Sequence, residues 1–279
     1  MKKLNIVIAG LGNVGSAVVN SINNNNSIFG YKSSININII GISARNRNKK
    51  RQADISKFKW YDNPIDLINI KNIDVLIELI GEEKGISFEL TKLALEKKVH
   101  VITGNKAMIA NHGNELFYIA EKNNVRLLYE ASVAGGIPII KTIKNILFLN
   151  SVKKISGILN GTTNYILTKM QDENMSFENV LNIAKEKGYT SDHEAKLDIG
   201  GFDSAHKLTI LSSICFGCKL NFSNNIIQGI SEIKIEDINF AQKLNCKIKL
   251  VSESFVVDNK IFCVTAPKLI ENNNPLSKV

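Results

Sequence analysis

A strand that breaks into three spaced glycines and then into a helix opens this chain, and few folds accommodate that succession. Leu4-Asn-Ile-Val-Ile-Ala9 is a short apolar, β-branched run, Gly10-Leu-Gly12-Asn-Val-Gly15 follows at once, and Ser16-Ala-Val-Val-Asn20 continues with helical spacing. Gly10 permits the tight bend, Gly12 lets backbone approach a pyrophosphate with no Cβ in the way, and Gly15 lets the helix lie close to the strand. The N–H groups at the helix start then face the phosphates. Gly10, Gly12, Asn13, Val14 and Gly15 are therefore candidate cofactor-binding residues.

The 279 residues are 44% hydrophobic with a formal charge of +9. That is enough apolar matter for a cofactor domain and a second, substrate-binding domain. The lysines are dispersed among asparagines and isoleucines with no basic aromatic module, so the charge reads as composition bias and attraction for anionic ligands, and no nucleic-acid partner is expected. No stretch is long or apolar enough to span a bilayer, and the apolar run behind Met1-Lys-Lys is too short for a signal peptide. A soluble, cytoplasmic protein is the expectation, with no membrane partner. Cys215, Cys218, Cys246 and Cys263 make no disulfide framework in a chain of this size. Cys215-Phe-Gly-Cys218 ends an apolar helical pattern and has no second ligand pair, so reduced, packed thiols are expected.

Residues 23–34, rich in asparagine, read as a loop. Ile35 to Ile42 suits a second parallel strand, and it ends in Ser43-Ala-Arg45-Asn46 with Lys49, Lys50 and Arg51 following. An NAD site usually presents Asp or Glu at that strand end; Arg45 and its basic neighbours suit a 2′-phosphate, which favours NADP and leaves NAD possible. A solvated basic loop is the other reading of the same residues. Asp74 to Gly81, His100 to Thr103 and Val125 to Tyr129 are further buried-strand patterns, alternating with helical patterns at Ser87 to Lys98 and Ala107 to Asn123. Repeated βα units predict a Rossmann-type, doubly wound parallel sheet whose ligand crevice lies at the strand carboxyl ends. Arg45, Glu78, Thr103, Asn105, Lys106 and Glu130 would collect there with the glycine loop.

Beyond Pro138 the pattern becomes a second α+β domain: a strand at Lys153 to Asn160, a helix after Gly161-Thr-Thr-Asn164, and a helix at Ser176 to Lys187 closed by Gly188. An acid-rich loop spans Thr190 to Asp203 and leads into a helix carrying Lys207. Asp203 and Lys207 are four apart and share a helix face, either as an ordinary surface pair or as a lysine placed to exchange a proton with a substrate hydroxyl.

The strings GLGNVG (10–15), TGNKAMIA (103–110), YEASVAGGIPII (129–140), GILNGTTNYIL (157–167), GGFDSAHKL (200–208), IIQGISEI (226–233) and IKLV (248–251) together resemble homoserine dehydrogenase, over nearly the whole chain. The resemblance implies NAD(P)-dependent interconversion of L-homoserine and L-aspartate 4-semialdehyde, a reaction of threonine, methionine and isoleucine biosynthesis. It implies residues 1–137 as the NAD(P)-binding domain and 138–279 as the catalytic, dimer-forming domain of a homodimer. Lys207 matches the proton-donating lysine, Asp203 its acidic partner, and Lys106 the lysine near nicotinamide and substrate. A sodium ion is implied at the loop after the fifth strand, held by Glu130, Val133, Gly135 and Ile137, largely through carbonyls.

Three departures accompany the match. Thr103-Gly104-Asn105-Lys106 replaces T-A-N-K, and Gly188-Tyr-Thr-Ser-Asp192-His-Glu194-Ala is one residue longer than GYxExDP. The glutamate that grips the substrate amine in the family is replaced by Asp192 or by Ser191; Asp192 is preferred because an ammonium needs a carboxylate, and Glu194 then takes the place of the following aspartate. Family chains also continue beyond the segment matched by Ala266 to Val279, so the catalytic domain reads as shortened, with no regulatory ligand-binding domain expected. The alternative is a shortened, non-catalytic NADP-binding relative, and another two-domain NADP oxidoreductase would share the first half.

Overall fold

The computed structural model describes residues 2–279, apart from the side chains of Phe29, Asp192 and His193. The chain divides into two compact units, Met1–Ile139 and Ile140–Val279.

The first unit is a run of βα repeats: β1 (Lys2–Ala9), α1 (Asn13–Ser33), β2 (Ile35–Ser43), β3 (Trp60–Tyr61), β4 (Val75–Glu78), α2 (Ile86–Glu96), β5 (His100–Thr103), α3 (Lys106–Lys122) and β6 (Leu127–Leu128). The strands form one sheet in the order β3-β2-β1-β4-β5-β6 with every pair parallel, the doubly wound arrangement that the repeats predict. β-branched strands suit it because both faces are covered, and Ile6, Ile8, Ile42 and Val75 bury with Val19 of α1 in one cluster. The register aligns the functional edge. Ala9 pairs with Ser43 and with Glu78, and Glu78 pairs with Thr103, so the carboxyl ends of β1, β2, β4 and β5 are level.

Two features of this unit differ from the sequence reading. β3 was not expected. Residues 23–33, expected as a loop, continue α1. Two of their asparagines find partners that leave the helix intact: Asn25 donates to the Ser21 carbonyl one turn back at 2.9 Å, sharing an oxygen of the helical ladder, and Asn26 both donates to the Ile37 carbonyl at 2.8 Å and accepts from its N–H at 3.0 Å. The helix stops where Ser34 turns left-handed, with φ of 57°.

The second unit opens with α4 (Ile139–Asn145), which begins at the last residue of the first unit, and continues with β7 (Lys154–Gly157), α5 (Gly161–Glu173), α6 (Phe177–Glu186), α7 (Asp192–Ile199), α8 (Phe202–Phe216), β8 (Ile226–Ile227), α9 (Ile235–Lys243), β9 (Cys246–Val257) and β10 (Lys260–Glu271). Its sheet runs β7-β9-β10-β8, antiparallel except for β10 with β8. The β9–β10 hairpin closes on Asp258 and Asn259, both left-handed, a twist that matches the flanking strands. Ile166 and Met170 of α5, Val180 of α6, Ile238 of α9, and Ile248 and Leu250 of β9 form the core. Fully burying each such side chain is worth about 1.5–3 kcal/mol.

Residues 192–199, expected within an acid-rich loop, are helical. Ser191 caps α7 by accepting from the Glu194 N–H, and the Glu194 carboxylate accepts from the Ser191 hydroxyl at 2.8 Å. This N-cap starts the helix despite the helix-poor composition around it. All four cysteines are free and half-buried. No described helix is long and apolar enough to cross a membrane.

Candidate functional site

In the first unit the glycine loop is shaped by close approach. A Cβ on Gly10, whose φ is +97°, would stand 2.3 Å from the Leu79 carbonyl oxygen, and one on Gly15 would stand 2.0 Å from the Gly10 oxygen. Gly12 differs: a Cβ there would meet nothing within 4 Å. The closed side of the loop packs on β4 and α1, and the open side is the space a pyrophosphate requires. No side chain caps α1 and no acid lies in its first turn, where Asn13 and Val14 sit, so its N–H groups remain available to an anion. This geometry fits a dinucleotide.

A cavity of about 480 Å³ adjoins the loop, lined by Gly10, Gly12, Arg45, Lys49, Arg51 and Ile86 among others. The Arg45 side chain is 83% exposed and pairs with Glu82. Arg51 has an internal task. Its guanidinium donates to the carbonyls of Leu11 at 3.2 Å and Lys49 at 2.9 Å and lies over the Trp60 ring, which ties the basic loop to the glycine loop.

Glu78, fully buried, fixes the neighbouring strand end. Its carboxylate accepts from Ile80 N–H at 2.8 Å and from the Thr103 hydroxyl at 2.6 Å. Thr103 in turn accepts from Asn105 N–H at 2.9 Å. Asn105 caps α3 through Met108 N–H at 3.0 Å and holds the Glu82 carbonyl at 2.6 Å. Lys106, the first residue of α3 and half-buried, is placed by that cap. The loop after β6 turns through Ala134 and Gly135, both left-handed, with φ of 59° and 45°. Glu130 is half-buried, Val133 is buried and Ile137 is exposed, with its carbonyl accepting from Ile139 N–H at 2.8 Å.

The second unit gathers its polar groups at the N-terminus of α5. Lys207 donates to the Asp203 carboxylate at 2.8 Å and to the Leu159 carbonyl at 2.7 Å. The Asn160 amide donates to the same Asp203 at 2.9 Å and to Asp198 at 2.8 Å, while its oxygen caps α5 by accepting from Thr163 N–H at 2.8 Å. Thr190 donates to the other Asp198 oxygen at 3.1 Å. Burial pushes the Asp198 carboxyl above its ordinary range, the Asn160 hydrogen bond opposes the rise, and the nearby Asp203 charge adds to it. The helix junction below is tight: a Cβ on Gly229 would stand 2.3 Å from the Ile199 oxygen. An ammonium, two carboxylates and one bridging amide in a partly buried cluster can hold a small polar substrate and pass a proton to or from its oxygen.

Asp203 and Lys207 are thus joined as the helical spacing predicts. Glu194 lies exposed on α7, its carboxylate accepting from the Ser191 hydroxyl. The Asp192 side chain lies outside the described residues. Asn160 and Asp198 were missed as site residues. Asn160 carries a readable signal, an asparagine just before a helix start; the position of Asp198, five residues before Asp203, is informative only once the fold brings Asn160 to both.

Two family models match the chain: "Homoserine dehydrogenase" over residues 138–279 and "Homoserine dehydrogenase, NAD binding domain" over residues 10–130. A homoserine dehydrogenase of Neisseria gonorrhoeae is 37% identical across the whole chain, which spans 63% of that relative's length. The crystal structure of a homoserine dehydrogenase from Thiobacillus denitrificans superposes with a TM-score of 0.94 at 35% identity, covering 100% of this chain and 64% of that one. A hyperthermophilic archaeal homoserine dehydrogenase mutant, solved in complex with NADPH, has a TM-score of 0.80 at 28% identity, covering 98% of this chain and 84% of that one. With a glycine cradle for a dinucleotide in one unit, a lysine–carboxylate cluster in the other, and both halves matched by models of one family, the chain belongs to the homoserine dehydrogenases.

Proposed function

We propose that the chain interconverts L-homoserine and L-aspartate 4-semialdehyde with NADP. The observation that carries this reading is the Lys207–Asp203 pair, an ammonium 2.8 Å from a buried carboxylate within the segment matched by the homoserine dehydrogenase model. When bound, the dinucleotide supplies hydride chemistry at its nicotinamide. The residues of this chain supply binding, orientation and the proton. The Gly12 edge and the α1 N-terminus hold the pyrophosphate. Lys207 meets the substrate's hydroxyl oxygen: in the oxidative direction its neutral amine takes up the hydroxyl proton and becomes the ammonium, and in the reductive direction the ammonium returns that proton to the aldehyde oxygen, with Asp203 and the Leu159 carbonyl fixing the side chain. Lys106 assists at that oxygen. Asp192 or Glu194 receives the substrate ammonium; Asp198 is a third carboxylate for that task, favoured by its place beside Asp203.

Arg45 and Lys49 support NADP over NAD, since both line the cofactor cavity where a 2′-phosphate requires positive charge. A sodium ion at Glu130, Val133, Gly135 and Ile137 is supported by the donor set, one carboxylate with carbonyl oxygens, which suits a hard cation. A homodimer through the second unit is supported by apolar side chains that stay exposed there, among them Phe262 of β10 and Ile226 of β8. Lys207→Ala tests the central role: kcat for homoserine should fall about 10²- to 10⁴-fold with NADP affinity within a few-fold of wild type. Equal loss of both would remove Lys207 from the chemistry.

A further inference from the structure

Lys249 of β9 is among the largest fully buried side chains, 1% exposed. A lysine so deep is nearly always paired with a carboxylate. The ammonium donates to two neutral side-chain oxygens on α5, Asn164 Oδ1 at 2.8 Å and Thr168 Oγ1 at 2.8 Å, and to the main-chain oxygen of Val279, the last residue described, at 2.6 Å. Burial pushes it down to about 8, Lys247 on the same strand adds to the drop, and Asp172 on α5 opposes it. Ionised at neutral pH in such surroundings, it costs stability that an apolar side chain of similar volume would not. What it contributes is direction. Asn164 lies in the first turn of α5 and Thr168 one turn further on the same face. The residues just ahead of that turn are Leu159, whose carbonyl accepts from Lys207, and Asn160, whose amide meets Asp203 and Asp198.

We propose that Lys249 is a positioning residue for the Lys207–Asp203 pair: its ammonium anchors the first turn of α5 to β9 and so sets where the Leu159 carbonyl and the Asn160 amide meet that pair. The inference rests on the reading of Lys207 as the proton-transfer group. Removing the anchor lets the α5 start shift without touching substrate or cofactor, and small misplacements of a catalytic group carry large rate penalties.

The test compares Lys249→Met, Asn164→Leu and Asn164→Asp in the full chain. It uses steady-state homoserine oxidation, NADP titration and amide hydrogen exchange over residues 160–168. Lys249→Met and Asn164→Leu should lower kcat roughly 10- to 100-fold with homoserine KM and NADP affinity within about threefold of wild type, and should speed exchange at the α5 start. Asn164→Asp keeps an acceptor for Lys249 and should retain kcat within about threefold. If Lys249→Met does not fold, the two Asn164 variants decide. Unchanged kcat in Asn164→Leu, an equal drop in both Asn164 variants, or a lower kcat without faster exchange overturns the proposal. If wild type itself does not oxidise homoserine, the functional reading fails separately, and unchanged exchange in Lys249→Met or Asn164→Leu would still refute the anchor.

Discussion

Asp198 and Asp203 are bridged by a single amide, with Asn160 donating to the first at 2.8 Å and to the second at 2.9 Å. Without that donor the two carboxylates would face each other with less compensation. Because burial already pushes the Asp198 carboxyl up, with the Asp203 charge adding to the rise, loss of the Asn160 bond raises it further. In Asn160→Leu the acid limb of kcat/KM for homoserine should therefore move to higher pH. A pH–rate profile checks this, and an unmoved acid limb would take Asp198 out of substrate binding.

Gly12 and Gly15 predict distinct phenotypes within one motif. An added Cβ at Gly12 meets open space, whereas at Gly15 it lies 2.0 Å from the Gly10 oxygen. Gly12→Ala should melt within about 1 °C of wild type and lose NADP affinity by tenfold or more, because the methyl occupies the pyrophosphate's space. Gly15→Ala should lose stability as well, by roughly 1–3 kcal/mol from backbone crowding. Calorimetry and cofactor titration separate the two; equal melting points would show that the loop relaxes around the Gly15 methyl.

Arg45, which carries the NADP reading, is paired with Glu82 in the cofactor unit, a carboxylate that competes with a 2′-phosphate for the guanidinium. Arg45→Ala should weaken NADP about tenfold while leaving NAD within about twofold, the expected consequence of losing one charge-assisted phosphate contact. Glu82→Gln frees the guanidinium and should act in the opposite direction. Parallel loss of both cofactors in Arg45→Ala would assign that residue to general loop structure.

Glu253 sets an acid limit for the second unit. Burial would raise its carboxyl, yet hydrogen bonds from Lys268, Lys154 and Ser156 prevail and hold it at about 2, against an ordinary 4.5. A carboxyl depressed in the folded state contributes stability that is present above pH 4.5 and lost as pH falls through about 2. Its ionised form is worth on the order of 1–3 kcal/mol after screening at the exposed Lys154. Acid denaturation of Glu253→Gln should show a flatter dependence between those values; an unchanged slope would contradict it.

The βα alternation, the glycine loop and the Asp203–Lys207 pair were legible because each is local: a period, a fixed glycine spacing, or two side chains one helical turn apart. The asparagines of α1 misled because their composition favours turns, while the partner that satisfies Asn26, the Ile37 backbone, lies beyond the helix end. α7 carries a legible N-cap at Ser191, masked by the acid-rich composition that follows it. Asn160 and Lys249 were beyond reading as partners of the site, since their bonds to Asp203 and Asn164 span 43 and 85 residues and only the packed second unit brings them together.

The most direct measurement is absorbance at the NADPH band with purified protein, L-homoserine and either NADP or NAD, in sodium and in potassium buffers. The account predicts homoserine-dependent reduction of NADP, faster than of NAD, slowed about 10²- to 10⁴-fold in Lys207→Ala and enhanced by sodium. Measurable NADP binding with no homoserine-dependent reduction would contradict it and leave a cofactor-binding relative without turnover.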